Sequence, residues 1–179
     1  MPVMEFFYDF VSPYSYLAST RVEAEARRAG GEVRFRPFLL GGVFKATGNR
    51  APLETPAKLR HMWVDLQRWA ARLAVPLAQP AIFPVASILA LRSALEAERR
   101  GRLVPFTHAV FRAFWAEGKD IASSEVLAAL AASAGLDGAA VVAAAPGHKE
   151  ALVRQTQEAV DRGAFGAPTF FVPAADGEE

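Results

Sequence analysis

The residues best equipped for chemistry stand in three short stretches. Asp9-Phe10-Val11-Ser12-Pro13-Tyr14-Ser15 joins an aromatic run to a proline-started segment. The first N–H groups of a helix lack intrahelical partners and carry partial positive charge, so an anion or thiolate docked there is stabilised. Ser12 adds a hydroxyl that can donate to such an anion. The same residues also make an ordinary helix start, because Ser is a favoured N-cap and Pro at the first position gives up no needed N–H. Gly166-Ala167-Pro168-Thr169 puts a proline at the opening of a strand after a glycine-containing loop, a fitting place for a cis bond, although only about 5 to 6% of X–Pro bonds are cis. Gly48-Asn49-Arg50-Ala51-Pro52-Leu53-Glu54-Thr55-Pro56-Ala57-Lys58 sets Lys58 in the first turn of a helix, where a cation opposes the dipole. Either an anion offsets that charge or the long stem carries it into solvent. Asp9 is open to two readings as well, an acid beside the site or an acceptor for local backbone donors.

Composition narrows the chemistry. The chain has 179 residues, 20 basic and 19 acidic side chains, 52% hydrophobic residues and no cysteine. A chain of this size buries roughly 70% of its unfolded surface and needs no disulfide or metal staple. Without cysteine it supplies no thiol nucleophile, disulfide, thiolate zinc site or iron–sulfur cluster. His61, His108 and His148 do not fall at metal-ligand spacing, and no phosphate loop or nucleophile elbow is present, so no metal is expected. The net charge of +1 lacks the basic excess that phosphate-backbone binding requires, so no nucleic acid partner is expected. No leader pattern and no long uncharged apolar run stand in the sequence, which predicts a cytoplasmic chain with no membrane partner.

These stretches need elements to position them. Met4 to Phe10 reads as a buried strand, and Pro13 to about Ala29 as one helix stopped by Gly30-Gly31. Glu32 to Pro37 alternates Val33 and Phe35 with Arg34 and Arg36, a half-buried strand, so the opening is β-α-β with a right-handed crossover if the strands are parallel. After a glycine-containing connector the pattern from Leu39 is mainly helical. Leu59, Met62, Trp63, Leu66, Trp69 and Leu73 form one helical face behind Thr55 and Pro56, and Val85, Ile88, Leu89 and Leu95 a second. Phe106, Val110, Phe111, Phe114 and Trp115 form a third, more core than base-stacking platform, and Leu127, Leu130 and Ala131 a fourth. Gly135 and Gly138 divide the alanine-rich stretch into two short helices. A last helix spans about His148 to Arg162, and Thr169 to Val172 reads as a strand. The final Asp176-Gly177-Glu178-Glu179 has hairpin-turn composition with no returning strand, so a further strand and helix are expected to be absent from this sequence.

This order resembles the α/β thioredoxin-like fold with a DsbA-type all-helical insertion. It implies a thioredoxin-like domain over residues 1–38 and 148–179 and a helical insertion over 39–147. Ser12-Pro13-Tyr14-Ser15 occupies the place of the Cys-x-x-Cys motif, which excludes disulfide exchange. Phe7 to Ala18, the Gly48-to-Lys58 stretch and Gly166 to Val172 are similar to three stretches of the 2-hydroxychromene-2-carboxylate isomerase and kappa-class glutathione transferase family. The resemblance implies a glutathione site: Ser12 on the sulfur, Asn49 and Lys58 at the glycine end, and the backbone of Ala167 before cis-Pro168 paired with the peptide. The family's next glutathione-contacting segment has no counterpart before Glu179.

The activity implied is glutathione-dependent isomerisation of 2-hydroxychromene-2-carboxylate to trans-o-hydroxybenzylidenepyruvate, a step in the breakdown of fused aromatics. Reversible addition of the glutathione thiolate to the conjugated system would allow bond rotation. The partner is then a small aromatic molecule, and the resemblance also implies a homodimer. Two other functions share these residues, a kappa-like transferase that consumes glutathione and a non-catalytic module that binds glutathione or a peptide. No residue is singled out for the substrate carboxylate, although Arg50 is near in sequence.

Overall fold

The computed structural model describes residues 1–173. Three strands form one small sheet in the order β2-β1-β3, with β1 at Val3–Tyr8, β2 at Glu32–Pro37 and β3 at Thr169–Phe171. β1 and β2 are parallel from Val3 opposite Glu32 to Tyr8 opposite Pro37, while β3 returns antiparallel with Phe170 opposite Phe6. The consecutive aromatics Phe6, Phe7 and Tyr8 are all fully buried because helices cover both faces of the sheet. Side chains alternate across a strand, so Phe6 and Tyr8 enter the large core with Phe35 and Phe111. Phe7 enters a smaller one with Phe38, Val43, Ala159 and Ala164.

The segment expected as one helix is two: α1 at Pro13–Ser19 and α2 at Val22–Arg28. The cause lies in two hydroxyls at the break. Ser19 Oγ donates to the Tyr16 carbonyl and Thr20 Oγ1 to the Leu17 carbonyl, both at 2.7 Å, drawing those acceptors into local bonds. The expected glycine-containing connector holds a helix, α3 at Leu40–Thr47. Val43 anchors it in the smaller core, and Gly48, at φ +71°, closes it.

α4 spans Pro56–Leu73, with Met62, Leu66 and Ala70 buried. Thr55 precedes it but makes no side-chain cap, and Trp69, expected on the buried face, is 47% exposed. α5 (Ile88–Arg99), α6 (Leu103–Trp115), α7 (Ser124–Ser133) and α8 (Gly138–Ala144) close over the large core. The α6 stripe Phe106, Val110, Phe111, Phe114 and Trp115 is buried as its spacing predicts. Gly138 is required where α7 and α8 meet, since a Cβ there would lie 2.0 Å from the Ala128 carbonyl oxygen. α9 (Lys149–Asp161) packs with α3 on the far side of the sheet. Among the described residues no helix is long and apolar enough to cross a membrane. The Asp176-Gly177-Glu178-Glu179 turn lies outside the described residues.

Candidate active site

The strand-to-helix junction is wound around Asp9. Its side chain is fully buried, with Oδ1 accepting from the Val11 N–H at 3.1 Å and Oδ2 from the Leu40 N–H at 2.9 Å. Ser87 on the approach to α5 also hydrogen-bonds it. Burial pushes the Asp9 carboxyl above its ordinary pKa, while those donors pull the other way. Of the two readings open for this acid, the local-acceptor geometry is therefore present. The Asp9 carbonyl takes the Ser12 N–H at 3.0 Å, and the Phe10 carbonyl takes the Trp115 indole N–H at 2.8 Å. Together they tie the loop to β1, α3, α5 and α6.

Ser12 is the N-cap of α1, extended at φ −91° and ψ 114°, and its Oγ accepts from the Ser15 N–H at 3.1 Å. The same Oγ donates to the Ala167 carbonyl at 3.0 Å. The Ala167–Pro168 bond is cis, as is Phe83–Pro84, which the sequence reading did not anticipate. Two stretches 155 residues apart are thus in direct contact. Asn49 is brought to the same connector: its Nδ2 donates to the Phe165 carbonyl at 2.8 Å, and its Oδ1 accepts from the Arg50 N–H at 2.8 Å. Lys58 is exposed in the first turn of α4, and among the described residues it has no hydrogen-bond or ion-pair partner. Ser12, Ala167 and Pro168 therefore form one cluster, Asn49 reaches its edge, and no hydrogen bond or ion pair among the described residues links Lys58 to it.

Features without a sequence signal complete the surroundings. The Tyr14 hydroxyl donates to Asp65 Oδ2 at 2.9 Å, across 51 residues. Desolvation and the Asp65 carboxylate push its phenol up to about 12, so it stays neutral near pH 7. Phe165, 71% exposed, stands on the connector that Asn49 clips. Ser15 Oγ is buried and has no partner among the described residues. Among the described residues, the N–H groups of Tyr14 and Ala167 also make no hydrogen bond. Free backbone donors beside a hydroxyl that can donate suit a peptide anion, and the donor set fits glutathione.

The DSBA-like thioredoxin domain family matches residues 3–179 of the chain. A 2-hydroxychromene-2-carboxylate isomerase of Sphingobium xenophagum is 36% identical over 174 residues, covering 94% of this chain and 88% of that protein. Glutathione S-transferase kappa 1 of Caenorhabditis elegans is 27% identical, covering all of this chain and 84% of that protein. A solved 2-hydroxychromene-2-carboxylate isomerase superposes with a TM-score of 0.85 at 29% identity, over 94% of this chain and 84% of that one. A helix-rich chain on a small β2-β1-β3 sheet, with Ser12 against the residue before a cis-proline and relatives of this kind along nearly its whole length, belongs to the DSBA-like thioredoxin family, among its isomerase and kappa-transferase members.

Proposed function

We propose that the chain is a glutathione-dependent isomerase that converts 2-hydroxychromene-2-carboxylate, or a close aromatic relative, to trans-o-hydroxybenzylidenepyruvate. The observation that carries this reading is the Ser12 hydroxyl held against Ala167 beside cis-Pro168 in a chain with no cysteine. Glutathione, when bound, supplies the thiolate nucleophile that the chain has no atom to provide.

The chain's own residues do the rest. Ser12 Oγ carries one proton, directed at the Ala167 carbonyl, and a rotation about its C–O bond redirects that proton toward an anion seated at the start of α1. The Ala167 N–H then serves as a backbone donor to an extended peptide. Asn49 holds the connector in place through Phe165, and Lys58 offers an uncommitted cation for a terminal carboxylate. The cytoplasm is the matching compartment, since glutathione is kept reduced there.

The test is turnover of the chromene carboxylate with and without glutathione, alongside calorimetric binding of glutathione. Ser12→Ala should bind glutathione nearly as before, while turnover falls about 100- to 1,000-fold, as when one preorganised donor to an anion is lost. Unchanged turnover removes Ser12 from the mechanism. No glutathione binding at millimolar concentration defeats the reading outright. The similarity to a kappa-class transferase favours one second reading, permanent conjugation of glutathione to an electrophile. Product analysis separates them, because a transferase consumes glutathione stoichiometrically and an isomerase returns it. Saturable binding with no turnover on either substrate class would leave only a binding module.

A further inference from the structure

α1 and α4 pack against each other, and the groove between them includes Tyr14, two residues past Ser12, in its lining. Tyr14 meets Asp65 at the near end, while Arg21, just past α1, and Arg72 share the far end. Asp65 to Arg72 spans about 10 Å of helix axis, so the far end is roughly that distance beyond the catalytic junction. The cavity holds about 430 Å³, within the size range of small-molecule sites. Leu17 and Leu73 belong to its lining, and Trp69 stands over it.

Three observations define what it would accept. An indole 47% exposed beside a buried Met62-Leu66-Ala70 stripe leaves a large flat apolar surface uncovered, the kind that stacks on planar ligands. Arg72 has no carboxylate partner among the described residues. Arg21 donates to Glu25 at 2.7 Å, but Glu25 is also engaged by Arg28, so Arg21 can turn to another anion without stranding that acid. At the near end the Asp65 carboxylate is occupied by the neutral Tyr14 phenol. The far end is therefore cationic and the walls apolar, a pairing that suits a flat ring bearing one carboxylate.

We propose that the α1–α4 groove is a non-catalytic binding site for planar aromatic carboxylates, with Trp69 stacking the ring and Arg72, assisted by Arg21, holding the carboxylate. It stands independently of the function proposed above, because none of its argument passes through Ser12 or glutathione.

The probe is 2-naphthoate, titrated calorimetrically against the full chain, with neutral 2-naphthamide as control. One equivalent of naphthoate should bind whether or not Ser12 is replaced by Ala and whether or not glutathione is present at saturation. Arg72→Gln and Trp69→Ala should each weaken that equivalent roughly ten- to a hundredfold, and naphthamide should bind weaker by a similar factor. Equal affinity for the amide, an unaffected Arg72→Gln variant, or no binding up to millimolar probe overturns the proposal. Loss of the only binding in Ser12→Ala or on adding glutathione overturns it too, by placing the probe at the catalytic junction. Sedimentation supplies a further check: a dimer that Trp69→Glu dissociates would mean a second copy covers the face, and the site would fall.

Discussion

Asp9 and Glu96 are both acids removed from water, and the fold holds them in opposite ways. Asp9 lies among backbone N–H groups and the Ser87 side chain, no Arg, Lys or His among the described residues hydrogen-bonds or ion-pairs with it, and burial raises its pKa. Glu96 on α5 is 1% exposed but sits among cations. Arg99 donates to both its oxygens at 2.8 and 2.9 Å, Arg100 donates at 2.6 Å, and His148 Nε2 lies 2.8 Å away. The Arg99 bonds lead in holding its carboxyl well below the usual range, with His148 and Arg100 assisting. The first arrangement shapes the loop that presents Ser12. The second cross-links α5 to the turn before α9 and leaves its ionised acid far from the junction. Burial of a carboxyl is therefore tolerable with either backbone and hydroxyl donors or cations around it, and the choice follows what the surrounding backbone must do.

That contrast can be broken by substitution. The largest expected effect is from Asp9→Ala, which strands the Val11 and Leu40 N–H groups and should lower stability by about 3 kcal/mol in urea unfolding. Turnover should fall with it, because the loop that presents Ser12 loses its centre. Glu96→Gln keeps much of the shape and removes the charge, so a loss of about 1–2 kcal/mol is expected, with turnover unchanged. The pH dependences should differ in sign. Glu96 has a depressed folded pKa, so its contribution is present above the ordinary carboxylate range and lost as pH falls from about 4 toward that depressed value. Asp9 has a raised folded pKa, so its contribution is present below the ordinary range and lost as pH rises through the raised value. Thermal melts across pH 3–8 should show a flatter acid limb in Glu96→Gln and a flatter upper limb in Asp9→Asn; matching slopes in the two variants would erase the distinction. The smallest effect sharpens the role of Ser12 by its nearest structural counterpart. Ser123 caps α7 by accepting from the Val126 N–H, and Ser123→Ala should cost about 1 kcal/mol with no change in turnover.

What the sequence disclosed was local. The alternation in Glu32–Pro37, the Ser-Pro helix start and the α6 aromatic stripe each depend on neighbours within a turn or a pleat, and they reappear in the fold. The break at Ser19-Thr20 was hidden because both residues tolerate a helix until their hydroxyls find carbonyls. α3 was hidden by Gly41 and Gly42, although one apolar anchor, Val43, suffices once Phe7 and Phe38 are in place. Trp69 carries helical spacing and still faces outward, since period alone does not say how wide a partner's surface is. The site is least local of all: Ser12 meets Ala167, and Asn49 meets Phe165, across 155 and 116 residues. Only the resemblance placed those stretches side by side, and no pattern linked Tyr14 to Asp65.

The bond from Ser12 to Ala167 makes one carbonyl a gauge of what occupies the pocket. Any guest that captures the serine proton must release that oxygen, stiffening its C=O stretch and moving its carbon resonance. A single isotopic label in the residue-167 carbonyl thus reports occupancy without a chromophore, a cysteine tag or a turnover assay.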